Sequence, residues 1–427
     1  VLLGIATFFE GFDQLLVAYS MPLFKVEWQL TPVELTMVVT TGSAGMLIGA
    51  MLTGVLADRF GRIRVVVAAM LVTALASLLL MVSPNIEVFA ALRFVQGLGI
   101  GGEVPAAAVF VNELAKARAR GRFVLLYELA FPAGLSSAAL IASVVVPAFG
   151  WRALYLIGAL PAVLALLVIR EVPESPRWLA SRGDTERAER AMRTIEDRVG
   201  AATGAPLPEP SPVIDAPGER EGTARVRDLF GGRYRRRTAI LAVLWFAGFL
   251  VNYGLTTWLP TIYTSIYHLP IRTALNYTLV SSLSGFLGCV AVALLVDRIG
   301  RRASIAAGLA GAGLPLLALA ALGAGQGASV VVWSTLATFF IYASTICLYL
   351  YTPELYPTRG RGTGISFHGA IGRVGMIVGP VLVGSLMSAG APAAAVFALL
   401  GVLGVVAAGA ALLGEETSGR TLEELND

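Results

Sequence analysis

Apolar runs of about 20 residues follow one another along almost the whole chain, separated by short polar turns and interrupted once by a long polar stretch. A run of that length is what an α-helix needs to cross the hydrocarbon core of a bilayer. The predicted spans are 1-24, 33-57, 63-83, 86-113, 121-147, 151-170, 238-266, 272-296, 303-323, 329-352, 363-388 and 393-413. Six fall on each side of the polar stretch. The expected fold is an all-α membrane protein of twelve transmembrane helices in two six-helix bundles, 1-170 and 238-414, joined by a linker, 171-237, and followed by a tail, 415-427.

The two bundles repeat each other. Asp58-Arg59-Phe60-Gly61-Arg62 returns as Asp297-Arg298-Ile299-Gly300-Arg301, an offset of 297 − 58 = 239, and Glu113 with Arg120-Gly121 returns as Glu354 with Arg361-Gly362, an offset of 354 − 113 = 241. Because both copies run in the same direction with the same flanking charge, the halves should be related by an axis along the membrane normal.

Charge then sets the orientation. Basic residues crowd the loops that hold these motifs, while the opposite loops carry little beyond Lys25, Arg152 and Arg272. Lysine and arginine in short loops mark the cytoplasmic side, so the motif loops, linker and both termini are expected there, in a multi-pass protein of the plasma (inner) membrane. Composition agrees: 14% of the 427 residues are charged and 56% are hydrophobic, where soluble proteins are charged at roughly 25% of positions. The net charge of +4 reflects the loop asymmetry and predicts no nucleic-acid partner. Cys289 and Cys347 lie in apolar spans with no metal-ligand spacing, so neither a disulfide framework nor a metal or other cofactor is expected. The first run has no basic leader or cleavage site and contains Glu10 and Asp13, which marks a true span; Val1 already lies in apolar sequence, so a cytoplasmic leader is expected ahead of it. In the linker, Asp184 can cap a helix bearing Ala188, Met192, Ile195 and Val199 at helical spacing, and the Pro-, Ala- and Gly-rich stretch from Ala201 to Pro217 reads as a flexible tether.

Charges inside the spans are the candidate chemistry, since each costs about 2.5 kcal/mol or more unless paired or hydrated. Arg93 lies in the fourth span, and Glu10 and Asp13 lie three residues apart on one face of the first. An acid facing an arginine can switch its pairing on protonation and so couple a proton to a conformational change; a fixed ion pair between helices is the alternative. Shifted by about 240 residues, Arg93 falls near Trp333, Glu103 near Ala343 and Asp13 near Tyr253, so these charges were not copied with the scaffold. Glu128, beside Tyr127, suits a cavity lining or a buried neutral carboxyl. Arg373 is the arginine well inside a C-terminal span, where it can anchor an anion or serve as a snorkelling or interhelical residue. His368 can titrate or pack; Tyr253 and Trp258, beside the Gly254 break, are pocket candidates. The repeated loops supply the gating set: Asp58, Arg59, Arg62, Glu113 and Arg120 in the first half, Asp297, Arg298, Arg301, Glu354 and Arg361 in the second. Asp58 is expected to receive a helix end or an arginine as a latch that breaks when the halves tilt.

These motifs resemble the major facilitator superfamily over essentially the whole chain. Pro173-Glu-Ser-Pro-Arg-Trp-Leu179, Pro353-Glu354-Leu-Tyr-Pro-Thr358 and the tail Glu416-Thr-Ser-Gly-Arg-Thr-Leu-Glu-Glu424 are similar to its sugar porter group in the broad sense. The seventh span lacks the paired glutamines of sugar carriers. Glu10-Gly11-Phe12-Asp13 resembles the motif of aromatic acid proton symporters, and Gly372-Arg373-x-Gly375 resembles that of organic ion carriers. The resemblance implies a proton-coupled symporter of a small organic anion, an aromatic or heterocyclic carboxylate, in which Asp13 and Arg93 couple the proton and Arg373 contacts substrate. A carrier of organic cations or drugs using Glu103 and Glu128 is the alternative; a sugar transporter and a non-transporting receptor or scaffold are others. The implied partners are the substrate, the proton and the lipid bilayer, with the protein a monomer. No nucleophile or metal constellation points to an enzyme.

Overall fold

The computed structural model describes residues 2–114, 127–204, 226–232, 234–322, 327–356 and 358–418, and the regular elements among them are all helices. The first group comprises α1 (Leu2–Glu27), α2 (Pro32–Phe60), α3 (Arg62–Met81), α4 (Ile86–Leu114), α5 (Ala130–Phe149), α6 (Arg152–Ile157) and α7 (Pro161–Glu171). After α8 (Pro176–Ser181) and α9 (Thr185–Thr203) comes the second group: α10 (Tyr234–Ser265), α11 (Ile271–Ile299), α12 (Arg301–Leu322), α13 (Gly327–Glu354), α14 (Thr358–Ser388) and α15 (Ala393–Leu412). Eleven helices among the described residues are long and apolar enough to cross a membrane, with Arg152–Glu171 taken as one, and α4 adds a further 29-residue helix where the fourth span is expected.

Local sequence explains the helix ends. Thr31-Pro32-Val33-Glu34 starts α2 with a reciprocal cap, Thr31 Oγ1 accepting from Glu34 N at 3.4 Å and Glu34 Oε2 accepting from Thr31 N at 2.8 Å, while Pro32 enters the first turn without losing a needed donor. Between α2 and α3 the chain reverses at Gly61, φ +106°, and between α11 and α12 at Gly300, φ +92°, conformations that glycine adopts without steric cost. The sixth span stands where it is expected, over Arg152–Glu171, with a turn inside it that divides α6 from α7. The chain breaks at Gly158-Ala159-Leu160 ahead of Pro161, which cannot supply the N–H a continuous helix requires. In the linker, Asp184 Oδ1 accepts from Arg187 N at 3.2 Å and starts α9. The Ala201-to-Pro217 tether lies largely outside the described residues.

The two groups share one packing scheme. In the first, α1 packs on α5, α2 on α4, and α3 on α4 and α7; in the second, α10 packs on α14, α11 on α13, and α12 on α13 and α15. Three pairs cross between the groups, namely α1 with α10, α2 with α14 and α5 with α11. Exchanging the halves turns the α2–α14 pair into α11–α5 and leaves α1–α10 unchanged, which is a two-fold relation. Glycines set the close approaches: a Cβ at Gly134 would stand 1.9 Å from Phe8 O, and one at its counterpart Gly375 would stand 2.3 Å from Phe246 O.

Candidate functional site

The middle of α1 is enclosed on all sides, because α4 and α5 cover it within its own half and α10 covers it from the other. Every residue from Glu10 to Pro22 is buried. Asp13 is 0% exposed, and neither of its carboxyl oxygens has a hydrogen-bond partner among the described residues. The break between α6 and α7 makes its room: a Cβ at Gly158 would stand 2.5 Å from Asp13 Oδ1. Arg93 is 3% exposed and lies over Gly42 of α2, where a Cβ would come within 2.9 Å of Nη2. Its Nη1 donates to Gln96 Oε1, Gln96 Nε2 donates to Ser77 Oγ at 2.7 Å, and Arg93 Nε has no partner among the described residues. Asp13 and Arg93 therefore act on one another through space, with Tyr155 beside both, and form no direct ion pair.

Arg373 stands at the centre of α14, with 373 − 358 = 15 residues before it and 388 − 373 = 15 after it. Half-buried, it makes no hydrogen bond or ion pair with any described residue. Glu10 of the first half, 6% exposed and with Oε2 unpartnered, lies within its field, as do the hydroxyls of Tyr253 and Tyr349. Glu128 is half-buried and acts on Glu10, while the neighbouring Tyr127 hydroxyl accepts from Thr7 Oγ1 at 2.5 Å. Glu103, 4% exposed, keeps Oε1 unpartnered within reach of Glu10 and Asp13. Beside Arg373 runs an aromatic ladder at four-residue spacing on α10: Trp245 stacks on Phe249 at 5.2 Å and Phe249 on Tyr253 at 6.1 Å, with Tyr349 edge-on to Trp245 at 4.8 Å. The ladder reaches Gly372, where a Cβ would stand 2.7 Å from the Trp245 ring. A free guanidinium beside flat aromatic faces can hold an anion by its charge and a ring by stacking.

Two candidate residues are not brought to this cluster. Trp258 is 0% exposed and donates its indole N–H to Pro380 O at 3.0 Å, fastening α10 to α14. His368, also fully buried, lies with Nδ1 2.7 Å from Gly364 O and Nε2 3.2 Å from Thr238 O, so both ring nitrogens have protein partners. Sequence reasoning gave no role to Gln14, whose Nε2 reaches Met376 Sδ of the other half at 2.9 Å, or to Tyr349. A groove of about 690 Å³ between α2 and α14, lined by residues such as Val33, Met37, Thr40, Val381 and Ser385, contains no charged side chain.

At the motif end Asp58 receives an arginine, one of its two expected partners, and not a helix end. Asp58 is largely exposed and pairs with Arg62 within its own loop at 3.1 Å; the helix end is received by Glu174. Glu174 Oε1 accepts from Arg62 N at 2.8 Å, Ile63 N at 3.1 Å and Ser175 N at 2.9 Å, so a linker carboxylate caps α3. Trp178 Nε1 and Arg182 Nη2 add bonds to Asp58 O at 2.8 and 3.0 Å, and Arg182 also reaches Arg59 O. The second half repeats the device: Glu416 accepts from Arg301 N at 2.8 Å and Arg302 N at 3.2 Å and so caps α12. Burial pushes the Glu416 carboxyl up, but the backbone N–H groups of Ser418, Arg301, Thr417 and Arg302 outweigh it and hold it below the usual carboxylate value. Arg301 pairs with Asp297 at 2.7 Å and Glu354 at 3.2 Å, Arg361 Nε donates to Pro353 O at 3.1 Å, and Arg298 is exposed. The Glu113 side chain and Arg120 lie outside the described residues.

A two-fold pair of helical bundles, with charged groups at the seam and basic loops at one end, defines a multi-pass membrane transporter of the major facilitator fold. The chain belongs to the family of sugar and other transporters, whose family model it matches over residues 7–427. It is a transporter and not an enzyme. It is 36% identical to the niacin transporter NiaP of Acinetobacter baylyi over 426 residues, covering 99% of this chain and 94% of that one. Against a gallate transporter of Pseudomonas putida the identity is 30%, covering 96% of this chain and 89% of the relative. Against the 4-hydroxybenzoate transporter PcaK of Pseudomonas aeruginosa it is 30%, covering 90% and 84%. Among solved structures, a D-xylose-proton symporter superposes with a TM-score of 0.74 at 18% identity, covering 98% of each chain, a likeness of fold.

Proposed function

We propose that the protein is a proton-coupled symporter that imports a small aromatic or heterocyclic carboxylate across the plasma (inner) membrane by alternating access, with the motif loops and both termini on the cytoplasmic side. The observation that carries this reading is Arg373, a guanidinium in the middle of a membrane-spanning helix with no hydrogen-bond or ion-pair partner among the described residues and an aromatic ladder beside it. Niacin, gallate and 4-hydroxybenzoate, named for the relatives, each join a carboxylate to an aromatic ring, which suits a cation beside a π face. A proton taken by the Glu10–Asp13 face of α1 releases Arg93 and Arg373 from their acids, substrate binds at Arg373, and the halves 1-170 and 238-414 rock about it. The Asp58 and Asp297 loops, with Glu113, Arg120, Glu354 and Arg361, then govern the cytoplasmic opening.

Uptake of radiolabelled nicotinate and hydroxybenzoates into proteoliposomes tests the reading. An inward proton gradient should drive accumulation, and collapsing it should abolish accumulation; uptake indifferent to the gradient sinks the coupling. Arg373→Ala should lower uptake about 10- to 100-fold, the loss of charge-assisted bonds worth about 1.5–3 kcal/mol. Anion affinity preserved in that variant would instead favour a cation carrier built on Glu103 and Glu128.

A further inference from the structure

Gln14 on α1 is 8% exposed, and its side chain crosses the seam to within 2.9 Å of Met376 Sδ on α14. A carboxamide can donate two hydrogen bonds and accept two. Here its Nε2 faces a thioether, a weak acceptor, and its Oε1 has no hydrogen-bond partner among the described residues. Turning the amide over only exchanges which end is left unmatched. The setting is otherwise apolar: Met376 packs with Met46 of α2, Ile100 of α4 and Tyr253 of α10, with Phe249 at the edge of the group and the Tyr253 hydroxyl close to the amide. A polar atom buried without a partner is costly, and it marks a place where a ligand can supply what the protein does not.

The position of the amide relative to Arg373 gives it a use. Gly372, Gly375 and Gly379 of α14 meet Trp245, Phe246 and Leu250 of α10 in that order, so the two helices run side by side in one direction. Met376 follows Arg373 by 376 − 373 = 3 residues, which places it on the same face of α14 and about 4.5 Å further along the axis. On α10, Tyr253 stands one turn beyond Phe249 and stacks on it at 6.1 Å. A carboxylate held at Arg373, with its ring laid along Phe249 and Tyr253, therefore extends toward Gln14, and a single six-membered ring is long enough to span that one turn.

We propose that Gln14 is a specificity-determining residue of the substrate site: it recognises a hydrogen-bonding atom on the ring edge remote from the carboxylate, donating through Nε2 to a pyridine nitrogen or accepting through Oε1 from a phenolic hydroxyl. This rests on the aromatic carboxylate reading above. A substrate of that kind replaces a weak partner of the amide by a strong one, and Met376, unbranched and flexible, can swing aside to admit it. A ring with no such atom leaves the amide as it stands in the empty protein. A polar atom ortho to the carboxylate stays beside Arg373, a turn short of Gln14, and gains nothing from it. The site thus selects for polar atoms meta or para to the carboxylate, and one carboxamide serves both donors and acceptors at that edge.

Binding to the purified full chain tests this, with nicotinate and 4-hydroxybenzoate as probes and with benzoate and picolinate, whose ring nitrogen is ortho to the carboxylate, as controls. The unvaried protein should bind both probes about 3- to 10-fold more tightly than either control, the effect of one neutral hydrogen bond. Gln14→Leu, similar in size and apolar, should lose that preference and bind probes and benzoate alike. Failure of all four compounds to bind overturns the aromatic carboxylate reading and this proposal with it. Equal affinities in the unvaried protein, or a preference that persists in Gln14→Leu, overturn the assignment to Gln14 and leave that reading standing. Weakening of all four compounds by one common factor in the variant makes Gln14 a packing residue and overturns the assignment as well. Should Gln14→Leu fail to fold, the ranking by the unvaried protein decides: both probes ahead of both controls supports the proposal, and picolinate level with nicotinate overturns it.

Discussion

One carboxylate oxygen of Glu174 gathers two backbone N–H groups at the start of α3 together with that of Ser175, and the glycine before that helix is shaped to let it in: a Cβ at Gly61 would stand 2.4 Å from Glu174 Oε2. Gly61→Ala thus meets a positive φ and a displaced cap together, and should lower stability by about 1–3 kcal/mol, read as a drop in thermal midpoint in detergent. The second clamp gives a pH prediction. The folded pKa of Glu416 lies below its unfolded value, so its stabilisation is fully present above about 4.5 and is lost as pH falls through the lower folded value. Amide-exchange protection at Arg301 and Arg302 should fall over that acid range, and Glu416→Gln should show the unprotected pattern already at neutral pH; protection unchanged in the variant would mean that the cap is not held by charge. Sequence reasoning saw the arginines and glycines of both loops and offered Asp58 a helix end or an arginine, of which it takes the arginine and leaves the helix end to another residue. That residue stands 112 residues away from Arg62, a pairing that no local pattern reports. Arg93, Arg373 and the acids were legible because charge within an apolar run stands out, whereas His368 and Trp258 could not be sorted from pocket residues until their hydrogen bonds were known.

Among the elements, the spans were legible from apolar run length, while Gly375-x-x-x-Gly379 of α14 is a close helix contact. Both glycines do meet α10 backbone, Phe246 O and Leu250 O respectively, at 2.3 Å from a would-be Cβ. The break in the sixth span escaped the reading because apolar residues continue through it; Pro161 was the local signal. That break has a use, since Gly158 at its edge leaves room for Asp13. Gly158→Val should push the Asp13 carboxyl aside and reduce proton-driven uptake far more than it reduces the thermal midpoint. Gly134→Val, on the α1–α5 contact at Phe8 and Phe12, should lower the midpoint: overpacking against Phe8 O should cost about 1–3 kcal/mol, and a midpoint equal to that of the unvaried protein would show that the two helices can part without penalty.

Across the whole molecule, the links between the halves that join described residues lie at the middle and at the end away from the motif loops. Gln14 meets Met376, Ser136 Oγ donates to Ser282 O at 2.9 Å, and Lys25 Nζ donates to Ser265 Oγ at 3.0 Å, while Gly384 lies so close to Thr36 that a Cβ would stand 1.8 Å from its hydroxyl. The end opposite the motif loops is therefore shut. A cysteine pair replacing Lys25 and Ser265 should cross-link on oxidation and stop uptake, with recovery on reduction; uptake that continues with the bridge intact would mean that this end need not open. The clamp carboxylates carry one more implication, for where the protein can be divided. Glu174 and Glu416 are 416 − 174 = 242 residues apart, the period of the repeat, and each closes the helix end of the bundle before it. The tail is the second copy of the start of the linker, so the repeating module runs past its sixth span. An isolated first half cut at Glu171 would leave α3 uncapped, whereas one cut beyond Arg182 would retain its own clasp.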